Sequence, residues 1–415
     1  MTRARNVFAA VLAVLTLLLP GCGSAPAGDP PRELVWAVGE ITVAAAQRVA
    51  DEWNQAHPDG VHVRVVALPQ LADEQRNLLA IELIAGIPEF DVLELDVIWT
   101  AEFASRDWLL DLDEQRPEVE AAALPAAVRT GVWDDRLWAV PFTTDVGLLY
   151  YRMDLVGDPP GTWSEMTDTA SRVASEHGMA GVVTDGYPGE GLVVQFLERL
   201  WAEGGNLTVE DGTVVLDQEP AVEALTSLRS DYRTGLLAPG WETMQLEDVR
   251  TVFQRGQAVF MRSWPYAYEA MLRQDPTGRL REQTGLAPLP AGPGGVAAPA
   301  LGGHNLAVSR FSRNPGPAVE FLRFATLDPR VQNTLATEYS LAPTLSATYR
   351  ELAGHPVIGL VGKVLPTARN RPVTPYWAEI SMQIRQQISA ATVGRVPPRD
   401  AAGAMRAGIT AIVTR

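Results

Sequence analysis

Apolar residues between positions 33 and 95 switch between two spacings. Leu34 to Val38 is a short apolar run of strand length, so Glu33–Val38 is predicted as a strand. Val43, Ala46, Val49, Ala50 and Trp53 then recur at three- and four-residue steps, which predicts a helix over 41–57. His62–Leu68 alternates as a second strand, Asp73–Ile84 reads as a helix, and Phe90–Leu95 as a third strand. Strand, helix, strand, helix, strand is the signature of a parallel sheet with covering helices, an α/β fold.

The pattern runs on well past one domain. Trp133–Pro141 and Gly147–Arg152 follow as extended segments, then a helix over Asp168–Glu176 and a short strand over Gly181–Thr184. Gly191–Glu203 is a helix closed by Gly204-Gly205, a C-cap pattern. Further helices are predicted over Pro220–Thr234 and Leu246–Arg255, and a strand over Gln257–Arg262. Ser263-Trp264-Pro265 reads as a helix start with proline at its first position. Gly285–Pro288 and His304–Ser309 are strands, and Pro317–Ala325, Pro329–Thr337, Tyr376–Ala391 and Arg399–Val413 are helices. No internal repeat or coiled-coil heptad interrupts the series. A chain of this length exceeds one ordinary core, so two α/β lobes are expected, with the chain crossing between them more than once. Ligands of open α/β sheets sit at the carboxyl ends of the strands, which places a site in the cleft between the lobes.

Composition narrows the function. Lys and Arg number 34 against 50 Asp and Glu, a net charge of −16, so there is no basic excess for nucleic-acid binding. Hydrophobic residues make up 47%, enough for a large core. Cys22 is the single cysteine, which rules out an internal disulfide framework. It follows a short basic stretch with Arg3 and Arg5 and an apolar run from Phe8 to Leu19, too short to span a bilayer. Leu19-Pro20-Gly21-Cys22 resembles a bacterial lipobox, although Pro20 stands where a small or hydroxylated residue is usual. Residues 1–21 are therefore expected to be a signal peptide. Residues 22–32 are expected to be a lipidated cysteine and flexible tether, holding the chain to the outer face of the cytoplasmic membrane.

Several motifs then stand in a telling order. Asp73-Glu74-Gln75-Arg76 is followed by Asp91-Val92-Leu93-Glu94-Leu95-Asp96 and its continuation to Ala104. Next come Trp138-Ala139-Val140-Pro141-Phe142-Thr143-Thr144-Asp145 and Gly189-Glu190-Gly191. Phe260-Met261-Arg262-Ser263-Trp264-Pro265-Tyr266, Gly302-Gly303-His304-Asn305 and Arg371-Pro372-Val373-Thr374-Pro375-Tyr376-Trp377 complete the series. As a set this resembles the extracellular solute-binding lipoproteins of carbohydrate ABC importers, in particular the trehalose/maltose-binding branch. The resemblance implies a two-lobed periplasmic-binding-protein-like fold of type II, with three hinge crossings near Pro141–Asp145, Ala300–Gly303 and Pro366–Pro372. Lobe 1 is then expected over 33–142 plus 303–366, and lobe 2 over 143–302 plus 367–415. It also implies a monomer that takes a disaccharide, trehalose first and maltose-type sugars second, and delivers it to the transmembrane subunits of a permease.

Sugar recognition needs carboxylates and amides for hydroxyls and flat aromatic faces for the C–H patches of the ring. Asp96 falls at the carboxyl end of a strand, where ligand groups belong, and the resemblance makes it a sugar carboxylate. Asp145 stands at the first expected crossing where relatives often carry Asn, keeping acceptors but losing a donor. By the same resemblance Trp264 and Tyr266 are stacking residues, and Gly302 and Gly303 allow close approach of backbone to ligand. Arg371 offers a forked donor to two vicinal hydroxyls, or alternatively an interlobe salt bridge with a residue such as Asp96. Glu40, Gln75, Glu190, His304 and Trp377 are further sugar candidates. Glu247 is carried over although Leu246 replaces the acid that precedes it in the family.

No metal-ligand spacing joins the five histidines, and no nucleophile elbow or P-loop is present, so neither a metal nor a cofactor is expected. The rival readings are a secreted glycoside hydrolase, which needs only two suitably spaced carboxylates, and a lipoprotein that senses sugar for a signalling partner.

Overall fold

The computed structural model describes residues 33–210 and 212–415; the expected signal peptide, Cys22 and the tether lie outside them. Thirteen strands are present among the described residues: β1 Glu33–Val38, β2 His62–Ala67, β3 Val92–Asp96, β4 Val132–Trp133, β5 Arg136–Leu137, β6 Val140–Val146 and β7 Leu148–Arg152, then β8 Ala180–Val183, β9 Leu207–Glu210, β10 Thr213–Leu216, β11 Ala258–Ser263, β12 Thr284–Pro288 and β13 Leu301–Val308. They build two main sheets. One has five strands in the order β2-β1-β3-β13-β6, the other four in the order β12-β7-β11-β8.

In the first sheet β1 is parallel to both β2 and β3, and the helices Val43–Ala56 and Ala72–Ile84 make the crossovers, as the spacing predicts. β13 returns from far along the chain and runs antiparallel between β3 and β6. Trp36 of β1 is fully buried, with Phe142 of β6 and Phe321 edge-on to it at 5.6 and 5.2 Å. The second sheet is covered by long helices, among them Glu190–Ala202, Gln218–Arg233, Trp377–Thr392 and Pro398–Val413. Glu190–Ala202 has no exposed residue after its first turn, which explains its nearly continuous apolar sequence. The two lobes share an apolar seam in which Tyr266 and Met271 of one join Leu335 and Ala336 of the other.

Three local differences from the sequence reading have physical causes. The segment expected over Trp133–Pro141 is a two-strand hairpin, β4 and β5, followed by a separate strand. Asp134 and Asp135 hold φ of 48° and 56°, the paired positive values of a tight hairpin turn. Pro141 then lies inside β6, which it can do because β6 is an edge of its sheet. The helix expected from Asp168 begins at Trp163, where Thr162 and Glu165 form a capping box. The helix Pro356–Val364 lies beyond the sequence reading, because Gly359 and Gly362 lower its helix propensity and blur the stripe that Val357, Ile358, Val361 and Val364 bury.

The lobe boundaries expected at 142/143 and 302/303 fall inside β6 and β13, which are paired with each other in the first sheet. The first crossing sits instead at Gly147, between β6 and β7, and the second just before Leu301. The third passes through Arg369, whose carbonyl accepts from Leu301 N–H at 2.8 Å and whose N–H donates to Pro299 O at 2.9 Å. The three crossings therefore lie side by side. Among the described residues no helix is long and apolar enough to cross a membrane.

Candidate functional site

Strand direction brings the chemistry together. In the first sheet, chain leaves the carboxyl ends of the parallel strands at Ile41 and Thr42 after β1, at Gln70 to Asp73 after β2, and at Asp96 itself on β3. β13 is antiparallel, so its first residues reach the same edge: His304 sits opposite Asp96, and Gly302 opposite Asp145 of β6. In the second sheet β8 and β11 are parallel, and their carboxyl ends deliver Asp185 and Trp264. These two edges face each other across one cleft with about 1140 Å³ of free space, part of it open to solvent.

Ten of the residues singled out in the sequence line this cleft: Gln75, Asp96, Asp145, Glu190, Trp264, Tyr266, Gly302, Gly303, His304 and Arg371. Arg371 is its central cation. It comes from the third crossing, is 5% exposed, and donates to Asp96 Oδ1 at 3.3 Å and to Glu190 Oε1 at 2.8 Å. Asp96 belongs to the first sheet and Glu190 opens the helix behind the second, so the guanidinium bridges the lobes. The interlobe salt bridge, the alternative role for Arg371, is thus formed. Its Nε is buried and has no partner. Burial opposes the charge on Arg371, but the Asp96 and Glu190 carboxylates outweigh it and raise its pKa. Burial also raises the pKa of Glu190, against the pull of Arg371.

The acceptor wall is unusual in how little it is satisfied. Asp145 is 8% exposed and its Oδ1 has no hydrogen-bond partner. Burial pushes its carboxyl up to about 6, with the nearby Asp96 and Glu94 adding to the effect and His304 and Arg262 opposing it. Glu94 is fully buried beneath this wall. Its Oε2 accepts from Gly39 N–H at 2.8 Å and from Thr42 Oγ1 at 2.6 Å, while Oε1 lies 3.5 Å from Nδ1 of His304. Asp185 was missed in the sequence. It lines the cleft, and burial pushes it, too, up to about 6. The signal was present, since Asp185 follows the end of a strand just as Asp96 does.

Aromatic groups complete the cleft. Trp264 is half-buried, and its ring carbons Cη2 and Cζ3 lie only 2.9 Å from where a Cβ on Gly302 would be. Gly302 thus serves the tryptophan ring as much as any ligand. Gly303 has φ of +113°, and a Cβ there would fall 2.3 Å from Thr143 O, so no other residue fits. The Tyr266 hydroxyl donates to Glu247 Oε1 at 2.6 Å, and Glu247 is itself clasped by Arg250. Tyr187, also missed, lines the cleft beside them.

Three expected residues do not reach the cleft. Glu247 stands behind Tyr266 and fixes its hydroxyl. Trp377 is 1% exposed and donates its Nε1–H to Glu190 at 3.1 Å, so it supports a cleft carboxylate and offers no face to a ligand. Glu40 is exposed on the short turn after β1, outside the lining. At the cleft mouth Asp73 pairs with Arg385 of the opposite lobe, a second interlobe ion pair. No group of three or more His, Cys, Asp or Glu side chains is arranged to hold a metal among the described residues.

A cleft between two α/β lobes, lined by carboxylates, one arginine and aromatic rings, defines a binding protein for a small polar solute. Residues 38–329 match the family model for bacterial extracellular solute-binding proteins, and the chain belongs to that family. It is 33% identical over 370 residues to a probable ABC transporter-binding protein of Deinococcus radiodurans, covering 85% of this chain and 86% of that one. The diacetylchitobiose binding protein of Streptomyces coelicolor is 23% identical, over 84% and 83% of the two chains. Among solved structures, the maltose-bound MalE3 protein of T. maritima superposes with a TM-score of 0.84 at 33% identity, over 91% of this chain and 98% of that one. The GacH receptor of Streptomyces glaucescens superposes with a TM-score of 0.82 at 24% identity, over 92% and 98%. The fold is the two-lobed periplasmic-binding-protein fold, and the family is extracytoplasmic.

Proposed function

We propose that this chain is the sugar-binding component of a carbohydrate ABC importer, and that it captures an α-linked disaccharide, trehalose or a maltose-type sugar. The observation that carries the reading is the meeting, in one interlobe cleft, of unsatisfied buried polar groups with the half-buried ring of Trp264. Asp145 Oδ1 and Arg371 Nε lack partners, and Trp264 and Tyr266 line the same space. A neutral polyol supplies hydroxyls to the first and C–H faces to the second. The likeness to a maltose-bound protein supports the same ligand class. The sugar is handed to permease subunits by a monomeric chain anchored through lipid on Cys22.

Titration calorimetry with a panel of sugars tests this. Trehalose or maltose is expected to give saturable heat at one site, and the β-linked glucose disaccharide cellobiose none. Heat from β-linked sugars alone would overturn the ligand assignment. Release of monosaccharide during the titration would point instead to a glycoside hydrolase.

Asp145 and Asp185 give the site a pH signature. Their folded values near 6 stand above the ordinary 3.8. The folded chain therefore holds protons through that interval which the unfolded chain has released. Their contribution to stability is fully present below the ordinary value and is lost as pH rises through about 6. Sugar hydroxyls bind the ionised carboxylates more strongly. Lowering the pH from about 7 to about 5 is thus expected to raise the melting temperature of the sugar-free chain and to weaken sugar binding. Asp145→Asn should flatten part of both responses. Binding that strengthens at the lower pH would contradict this.

The anchor has its own test. Cys22→Ser removes the thioether site, and the protein is expected to leave the membrane fraction of cells. Retention of the variant on the membrane with normal processing would rule the lipid anchor out.

A further inference from the structure

Glu198 and Arg262 form a buried ion pair outside the cleft lining. Their side chains are 3% and 6% exposed, and two N–H···O contacts join them, at 2.9 and 2.5 Å. Such a pair is poor evidence for stability, because a well-packed apolar pair of similar volume is often as good. What distinguishes this one is the set of groups it touches.

On one side the Arg262 guanidinium carbon lies 4.0 Å from the ring centroid of Trp264, over its face. On the other side the pair meets the hinge. Glu198 Oε1 accepts from Ala300 N–H at 3.1 Å, at the second crossing. At the first crossing, a Cβ on Gly147 would fall 2.3 Å from Glu198 Oε1 and 2.7 Å from Arg262 Nη2, so the absent side chain is what admits the pair. The third crossing is joined through the bonds between Arg369 and the Pro299–Leu301 segment. One carboxylate and one guanidinium therefore contact the cleft tryptophan and two crossings, and the third crossing lies one hydrogen-bonded step away.

We propose that Glu198 and Arg262 are positioning residues that fix the Trp264 ring for stacking and tie its orientation to the backbone of the hinge. The proposal rests on the reading of the cleft as a sugar site. In physical terms the ring and the crossings share one rigid support, so a change at either is felt at the other. Arginine suits the task because its planar group stacks and forks at once, and lysine does neither.

The test uses the full chain, with maltose and trehalose as probes. Arg262→Lys keeps the charge near Glu198 but loses the stack and the fork. It is expected to weaken binding of the sugar that wild type takes by about tenfold, with a small change in melting temperature. In a Trp264→Ala background the same change should cost little more, because Arg262 acts through the ring. Wild-type affinity in Arg262→Lys, or losses that simply multiply in the double variant, would overturn the link to Trp264. The hinge half is read without sugar. Spin labels at Asn77→Cys and Glu176→Cys, in a Cys22→Ser chain, report the distance between the lobes. Glu198→Gln is expected to broaden that distribution. Gly147→Ala, which forces the pair aside by another route, should do the same if Glu198→Gln does not fold. A distribution unchanged in these variants would overturn the hinge half. If neither sugar binds wild type, the sugar reading fails, and the distance measurement still decides the hinge half.

Discussion

Arg371→Ala is expected to weaken sugar binding by two orders of magnitude or more. The guanidinium is buried between Asp96 and Glu190 and pairs with both. Removing one member of a buried ionic group typically costs about 3–5 kcal/mol, because the partner charges are left uncompensated. Glu190 keeps two donors, Trp377 Nε1 and Ser381 Oγ, so it is the less exposed to that loss. Asp96 keeps only the backbone N–H of Ile98 at 3.2 Å. The cleft loses its central bridge between the lobes. Arg371→Lys should rescue little, since one ammonium on a flexible stem cannot reproduce a fork to two carboxylates. Calorimetry on both variants measures this. Near-normal affinity in Arg371→Lys would show that charge alone is needed there.

Trp264→Ala is expected to cost about 1–3 kcal/mol of binding, or roughly fivefold to 150-fold in affinity, from the loss of one large stacking face. The ring is half-buried and packs against Arg262 and Gly302. Some stability should go with it, but less than for Trp36→Ala, which would empty the centre of the first lobe. The contrast between the two variants, affinity lost in one and melting temperature in the other, is the expected result. A large drop in melting temperature with unchanged binding in Trp264→Ala would make it a core residue.

Much of this was legible in the sequence because periodicity and strand ends are local properties. The first three strands and their helices carry clean patterns, and Asp96 could be placed by its position at the end of β3. Asp185 obeys the same rule and was overlooked because β8 is only four residues long and carries little signal. The hidden elements are those set by tertiary context. β6 runs through Pro141, which only an edge strand tolerates. Pro356–Val364 buries Val357, Ile358, Val361 and Val364 along one side, but Gly359 and Gly362 interrupt the sequence and hide the helix. Side-chain direction was likewise out of reach. Trp377 reads as a sugar candidate from its motif, yet it points into its own lobe and steadies Glu190. Gly302 reads as a glycine for a ligand, and its space is taken by the Trp264 ring. Glu198 and Arg262 stand 64 positions apart, and no spacing marks them as partners.

The central claim is a clamp. Asp96 and Trp264 reach the cleft from opposite lobes, so a sugar that touches both makes more contacts when the lobes are together. Without ligand, few polar ties hold the cleft side shut: Arg371 to Asp96, and the half-exposed Asp73 to Arg385. Solution X-ray scattering of the wild-type chain, with and without the α-linked disaccharide that calorimetry identifies, tests this most directly. A smaller radius of gyration at saturating sugar is the expected result. Identical scattering curves at a sugar concentration proven to fill the site would contradict closure.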